Sequence, residues 1–326
     1  MSSLDDRLEN LSVSEIEAVL RRRHAVGRTT VGYLLEDPRA GVRALGRQYL
    51  RRVRARERER ARLRRLLDAE HAFRDDGIRI LAGADEAGMA PLAGPVVAAA
   101  VILPPDTIIE RLDDSKAIDE STREELDGEI RAVALSIGVA VVSERVIDRV
   151  NVYRAGQMAM RLALRRLDRP FDLALLDGRP PRTFPVPHRA IVGGDEKIRS
   201  IAAASVVAKV ARDRLLVEAS RRWPEYGFES HKGYMTPQHV RALQEHGLSP
   251  IHRLSFPRVW EEADAMGPLY RELMGKLADA ESAAELESAE FDLDAARARL
   301  HPSEEKLLQR LLDARREALA EAGVAS

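Results

Sequence analysis

Apolar and polar residues change rhythm twice along the chain. From Val13 to Leu20 the apolar positions fall at helical spacing, with Ser12 or Ser14 available as a cap. The stretch Leu34–Arg39, with Pro38, breaks that pattern, and a second helix is predicted from about Ala40 to Arg74. From Gly77 short apolar runs alternate with helical stretches. The runs predict strands at Ile78–Ala84, Val96–Leu103, Ala134–Val142, Leu173–Leu176 and Ala190–Val192. Helices are predicted over Thr122–Ala132, Ile147–Leu167, Ser200–Arg222 and Pro237–His246. This order predicts a three-layer α/β domain around a partly parallel sheet. After Val259 the pattern turns helical again. An Ala- and Glu-rich stretch, Ala278–Glu290, is divided by Pro302 from a last helix over Glu304–Ala322. Leu300, Leu307, Leu308, Leu311 and Leu312 form a stripe there. The stripe suits packing on the core or on the N-terminal helices, binding of a partner, or a segment ordered part of the time. The expected division is a helical N-terminal extension, 1–76, an α/β domain, 77–262, and a helical C-terminal extension, 263–326.

Composition changes this picture in three places. The 52 basic and 53 acidic residues leave a net charge of −1, so only local clusters can point to a polyanion. One cluster exists: Arg51, Arg52, Arg54, Arg56, Arg58, Arg60, Arg62, Arg64 and Arg65 are offset only by Glu57 and Glu59. It reads either as a helix lying along nucleic-acid phosphates without sequence preference or as a solvated helix of arginine-rich composition. The absence of cysteine excludes disulfides, thiolate zinc sites and cysteine nucleophiles. The aromatic content of 4% argues against a surface that stacks successive bases. The first residues lack a signal-peptide pattern and no apolar run reaches membrane-spanning length, so a soluble cytoplasmic protein is expected.

Candidate chemistry gathers where predicted strands end. Asp85 and Glu86 follow the first strand and precede a turn punctuated by Gly88, Pro91, Gly94 and Pro95. Asp177 ends the fourth strand, and Asp195 follows Gly193-Gly194 at the start of a predicted helix, where it is either part of a site or a cap. Acids at the ends of buried strands need a metal or a nearby Lys or Arg. Oxygen-only ligands suit Mg²⁺, which bridges one or two carboxylates to substrate phosphates.

These residues lie in motifs that resemble ribonuclease HII. The series runs Asp85-Glu86-Ala-Gly88 with Pro91–Pro104, Leu112–Lys116, Leu176-Asp177-Gly178, Ile191–Asp195, Ser200–Ser205 with Ala208–Asp213, Tyr226-Gly-Phe228, His231–Thr236 and Pro250–Phe256. The segment from Leu35 to Gly77 resembles an N-terminal extension of some bacterial members. The resemblance implies a ribonuclease H-like fold with a mixed central sheet. It implies an Mg²⁺- or Mn²⁺-dependent endonuclease that cleaves RNA in RNA–DNA hybrids, or ribonucleotides embedded in duplex DNA, leaving 5′-phosphate and 3′-hydroxyl ends. It assigns Asp85, Glu86, Asp177 and Asp195 to metal and catalysis, and Gly88, Met89, Ala90, Lys116, Ser205, Lys232 and Tyr234 to the substrate. A monomer is expected, with no membrane partner. Asp213 is expected to support the fold, and His231, His252, Trp223 and Trp260 to be structural.

The chain departs from the family directly after the paired acids. Gly88-Met89-Ala90 stands where members read Gly-Arg-Gly, and Met89 lacks the charge that grips a phosphate, a loss of about 1.5–3 kcal/mol. Ala90 adds a methyl where the family has glycine. Ala117 and Gly193 replace lysines, and Met235 replaces a glycine. The expected consequence is altered recognition of the RNA–DNA junction. The competing expectation is a nucleic-acid-binding protein of the same fold with little or no cleavage.

Overall fold

The computed structural model describes residues 11–22, 26–75, 77–113, 115–116, 118–179, 181, 184–256, 258–259, 268–300 and 302–324. Ala117 and Trp260 lie outside them. The chain forms two compact units, Met1–Asp68 and Ala69–Ser326.

The first unit is helical. Helix α1 (Val13–Arg21) opens with a capping box in which Ser12 and Glu15 satisfy each other's backbone N–H, so Ser12 is the cap rather than Ser14. Helix α2 (Arg28–Glu36) has no counterpart in the sequence pattern, because Thr29, Thr30 and Gly32 are poor helix formers and its stability comes from packing. Helix α3 (Ala40–Asp75) continues into the second unit. Ile16, Leu20, Val31, Leu34, Val42, Leu45 and Tyr49 make the core of this unit. On α3, Arg51, Arg52, Arg54, Arg56, Arg58, Arg60, Arg64 and Arg65 are exposed.

Among the described residues, the second unit is built on five strands: β1 (Leu81–Ala87), β2 (Val96–Ile102), β3 (Ser136–Val142), β4 (Leu173–Asp177) and β5 (His188–Ile191). Their spatial order is β3-β2-β1-β4-β5. The β1–β2 and β2–β3 pairs are antiparallel, and β1–β4 and β4–β5 are parallel, so the sheet is mixed. Every residue of β2 is buried, as in a sheet covered on both faces. Between β2 and β3 lies α4 (Glu120–Val133), and after β3 come α5 (Glu144–Val150) and α6 (Val152–Arg165). Helix α7 (Arg199–Arg222) is followed by α8 (Phe228–His231) and α9 (Pro237–His246).

Helix α6 covers one face, setting Ala155, Ala159 and Ala163 against Ala82, Ala84, Ala98, Ala174 and Leu176. Helix α7 covers the other face, where Ile198 and Ile201 meet Leu81 and Leu175. Its small residues let it lie close to the strands. A Cβ on Gly83 would fall 2.2 Å from the carbonyl carbon of Ser200, so only glycine fits there. Buried charges on α7 are paired. Arg199 meets Glu70 at 2.7 Å, and Asp213 meets Lys209 at 2.7 Å and Arg123 at 3.2 Å, which makes Asp213 a support of the fold.

Two elements differ from their predicted form. Strand β1 begins at Leu81 and runs through Ala87, because its pairing with β2 continues to Ala87 opposite Val97; Asp85 and Glu86 therefore lie inside the strand. The helix predicted over Ile147–Leu167 is two helices. Asn151 breaks it at φ 70° and ψ 162°, a backbone conformation outside the helical and left-handed regions, and its side chain caps α6 by accepting from Arg154 N at 3.0 Å.

Among the described residues, three long helices follow toward the C-terminus: α10 (Pro268–Asp279), α11 (Ala283–Ala296) and α12 (Pro302–Val324). Leu307, Leu308, Leu311 and Leu312 of α12 are buried with Tyr270, Leu273 and Leu293, and with Leu92, Leu248, Leu254 and Val259 of the main body. The leucine stripe thus packs on the core. Trp223 is half-buried beside Leu216 and Tyr226, as a packing residue.

Candidate active site

Strand pairing and pleat decide which acids meet. The parallel register sets Ala84 opposite Leu176, so Asp85 and Asp177 follow side by side at the carboxyl ends of β1 and β4. Alternate residues of a strand face opposite sides. Leu81, Gly83 and Asp85 face α7, whereas Ala82, Ala84 and Glu86 face α6. The same parity puts Leu175 and Asp177 on the α7 side. Asp195 arrives from the turn after β5, and Asp177 Oδ1 fixes that turn by accepting from Gly194 N at 2.6 Å. Helix α7 takes Ile198 as its N-cap, so Asp195 is not a cap. One ligand oxygen from each of Asp85, Asp177 and Asp195 lies within 4.8 Å of the others. Glu86 is outside that set, since the pleat turns it toward Gly156 of α6.

Electrostatics follow from this crowding. Burial pushes the Asp85 carboxyl well above its ordinary range, Glu86 and Asp177 push it further, and the Ser205 hydroxyl opposes them. Glu86 is pushed up to about 7 by burial and then by Asp177, while the Lys116 ammonium pulls it down. Glu86 Oε2 is buried without a hydrogen-bond partner among the described residues. Hard oxygen donors only, one orphaned oxygen and carboxylates that resist ionisation are what a divalent cation would satisfy. The donor set therefore fits Mg²⁺ or Mn²⁺.

A family model described as Ribonuclease HII matches residues 82–259, more than half of the chain, and one described as Ribonuclease HII N-terminal domain matches residues 12–74. The chain belongs to the ribonuclease HII family. A Ribonuclease HII of Ruminiclostridium cellulolyticum is 42% identical over 262 residues, covering 80% of this chain and 98% of the relative. That of Bacillus thuringiensis strain Al Hakam is 40% identical over 249 residues, covering 76% and 96%. Among solved structures, ribonuclease H2 from Pyrococcus horikoshii is similar at 24% identity and a TM-score of 0.49, covering 57% of this chain and 98% of that one. As a ribonuclease HII, the protein is a hydrolase, an endoribonuclease acting on RNA–DNA hybrids, and its mixed sheet is the ribonuclease H-like fold. Helices α10–α12 lie beyond both family matches. Among the described residues no helix is long and apolar enough to cross a membrane.

The residues that the resemblance assigns to ribonuclease HII substrate contacts fall in different settings. Gly88 is buried at φ 97°, and a Cβ there would lie 2.2 Å from Arg212 Nε, so glycine is obligatory. Met89 is half-buried with its sulfur beside Gly156, packed on the apolar cluster under α6. Ala90 is exposed and lies outside the positive-φ residues, so its methyl meets no backbone penalty. Lys116 is exposed. Lys232 is buried at φ 51°, with its ammonium on Glu229 O and 3.2 Å from Glu120. Tyr234 is half-buried, its ring centroid 5.4 Å from Lys209 Nζ and 5.8 Å from Arg212 Cζ. Ser205 is the most enclosed of the set apart from Gly88. It is 3% exposed, hydrogen-bonded to Ser115 Oγ at 2.9 Å, and its hydroxyl also reaches the Asp85 carboxylate.

Two buried arginines hold the turn after Glu86, and the sequence pattern does not single them out. Arg212 donates to the carbonyls of Pro95, Lys232 and Ala93, each at 3.0 Å. Arg253 donates to Gly88 O at 2.6 Å, Met89 O at 3.2 Å and Gly94 O at 2.9 Å. Both are fully buried, and guanidinium groups there are satisfied only by several carbonyls at once. The expected structural histidines are structural. His231 Nε2 donates to Tyr226 O at 2.7 Å, and His252 pairs with His239 at 2.9 Å.

Proposed function

We propose that Asp85, Asp177 and Asp195, with Glu86 at their edge, hold Mg²⁺ or Mn²⁺. With it the protein cleaves the RNA strand of hybrids, or a ribonucleotide embedded in duplex DNA, leaving 5′-phosphate and 3′-hydroxyl ends. The convergence of three carboxylates within 4.8 Å at the ends of neighbouring strands carries this reading. When bound, such cations polarise the scissile phosphate and make a water nucleophilic at neutral pH. The chain's own part is preorganisation. Ser205 and the Glu86 N–H hold Asp85, and the Gly194 N–H holds Asp177. Lys116 balances Glu86 and faces phosphate, and Lys232 steadies the turn that carries Tyr234. Tyr234 stacks on the sugar after the ribonucleotide, where it disfavours a 2′-hydroxyl.

The Gly88–Ala90 turn approaches the 2′-hydroxyl through its backbone, and Met89 leaves one phosphate without the arginine usual in the family. Junction recognition is altered accordingly. The protein acts as a monomer, with roles divided as 1–76 for duplex attraction, 77–262 for chemistry and 263–326 for support. The exposed arginines of α3 supply the attraction.

The test is cleavage of three labelled duplexes, one with a single ribonucleotide, one a continuous hybrid and one all-DNA, each in Mg²⁺ and in Mn²⁺. Asp177→Asn serves as control and Met89→Arg/Ala90→Gly stands beside the native chain. Metal-dependent cleavage of ribonucleotide-containing duplexes, lost in Asp177→Asn, is expected. The double variant is expected to bind the junction about ten- to a hundredfold more tightly. Duplex binding without cleavage by either protein would leave a binding protein instead.

A further inference from the structure

Helix α12 lies outside the family match, yet it is bonded to the segment that holds the substrate turn. Arg310, on α12, donates to Pro250 O and pairs with Asp148 of α5 at 3.2 Å. Asp148 Oδ1 in turn accepts from Ser255 N at 3.0 Å and Ser255 Oγ at 2.9 Å. Arg310 thus fixes both ends of residues 250–255. The residues between those ends hold the turn. Ile251 O accepts from Gly94 N at 2.8 Å, Arg253 N donates to Leu92 O at 2.9 Å, and the Arg253 guanidinium grips Gly88 and Met89. An apolar seal backs the chain of bonds, since Leu92 and Leu254 share one cluster with Leu307, Leu308 and Leu311 of α12. The Arg310 side chain is 11% exposed and that of Asp148 4%, so the pair is shielded from water.

We infer that Arg310 of the C-terminal extension is a positioning residue for substrate recognition: through Asp148 and residues 250–255 it sets the geometry of the Gly88–Gly94 turn. The effect on recognition rests on the proposed reading of that turn as the part that meets the ribonucleotide. The effect on the turn itself does not.

Two measurements on the full-length protein separate these statements. The first is hydrogen exchange at the Leu92 and Gly94 amides, which donate to Gly233 O and Ile251 O. In Arg310→Ala and in Asp148→Asn these amides are expected to exchange about tenfold faster or more, while amides of β2 keep their protection. Arg310→Lys, which keeps the charge, is expected to restore most of the protection. The second is steady-state cleavage of a single-ribonucleotide duplex, where the same variants are expected to raise KM about tenfold with kcat unchanged. Native exchange at Leu92 and Gly94 in both variants overturns the inference. So does a fall in kcat at constant KM, which would place the effect on the carboxylates. Faster exchange with KM and kcat both unchanged supports the positioning and overturns the turn as the substrate reader. If Arg310→Ala does not fold, Asp148→Asn and Arg310→Lys carry both measurements.

Discussion

Single residues at this site work against the stability of the fold that carries them. Asp85 and Glu86 sit where burial and neighbouring carboxylates oppose ionisation. Asp177→Asn removes one of those charges and keeps an oxygen to accept from Gly194 N. The variant is expected to lose cleavage and, in chelator, to gain about 0.5–2 kcal/mol of stability, read from denaturation midpoints of the two metal-free proteins. The buried histidines carry a second prediction. The Ser249 N–H donates to His252 Nδ1 at 2.8 Å, so the proton of His252 is on Nε2, facing His239, and His239 Nδ1 donates to Tyr234 O at 3.0 Å. This relay needs neutral rings. Burial lowers His239 to about 4 from 6.5, and His252 and His231 are lowered as well. Between pH 6.5 and 4 these rings hold more protons in the unfolded chain than in the folded one, and their contribution to stability falls as pH falls through that window. His239 alone contributes roughly 3 kcal/mol to that loss. Asp85 and Glu86 shift the other way, so the test is the difference in urea midpoint between the native protein and His239→Gln: the native protein should gain on the variant as pH rises through the window, and a constant difference would refute the neutral relay. The acids were legible in the sequence as residue types. The relay was not, because three histidines scattered over 22 positions meet only through folding.

At the scale of elements, the strands announced themselves as short apolar runs, unbroken and buried on both faces in β2, and β2, β3 and β4 lie close to their expected places. Misses occurred where a local rule was overridden. Asn151 divides a stretch whose apolar spacing reads as one helix, and only its positive φ separates α5 from α6. Strand β1 extends through two acids because β2 goes on pairing with it. The pleat then separates Glu86 from Asp85, which adjacency in sequence had joined. Helix α3 shows the opposite case, since its arginine run is plain in the sequence and exposed in the structure. Replacing Arg54, Arg58 and Arg65 with Gln is expected to weaken duplex binding alike for all sequences. The slope of log affinity against log salt should fall by about 0.9 for each phosphate that is no longer neutralised. An unchanged slope would make this helix a solvated surface.

For the molecule as a whole, helices α10–α12 are part of the compact unit that holds the active site. Removing residues 268–324 would expose Leu92, Leu243, Leu248, Leu254 and Val259 together. Each large apolar side chain returned to water costs about 1.5–3 kcal/mol, so the truncated chain is expected to lose cooperative unfolding or to aggregate. Thermal unfolding with size-exclusion chromatography reads either result, and an unchanged midpoint would mean that the extension contributes nothing to the core. By itself, the sequence determined the helix–α/β–helix order, the apolar strands, the four acids and, through its ordered motifs, the family. These depend on residue type and local period, which a linear chain carries openly. Tertiary structure alone decided that Asp85, Asp177 and Asp195 converge within 4.8 Å while Glu86, on the opposite pleat, stays at their edge, near enough for Asp177 to raise its carboxyl. It also decided that the Ser205 hydroxyl reaches the Asp85 carboxylate, and that Arg212, Arg253 and Arg310 brace a turn distant from them in the chain. Those outcomes depend on register, pleat and the burial of charge, which exist only once the strands have paired and the helices have closed over them.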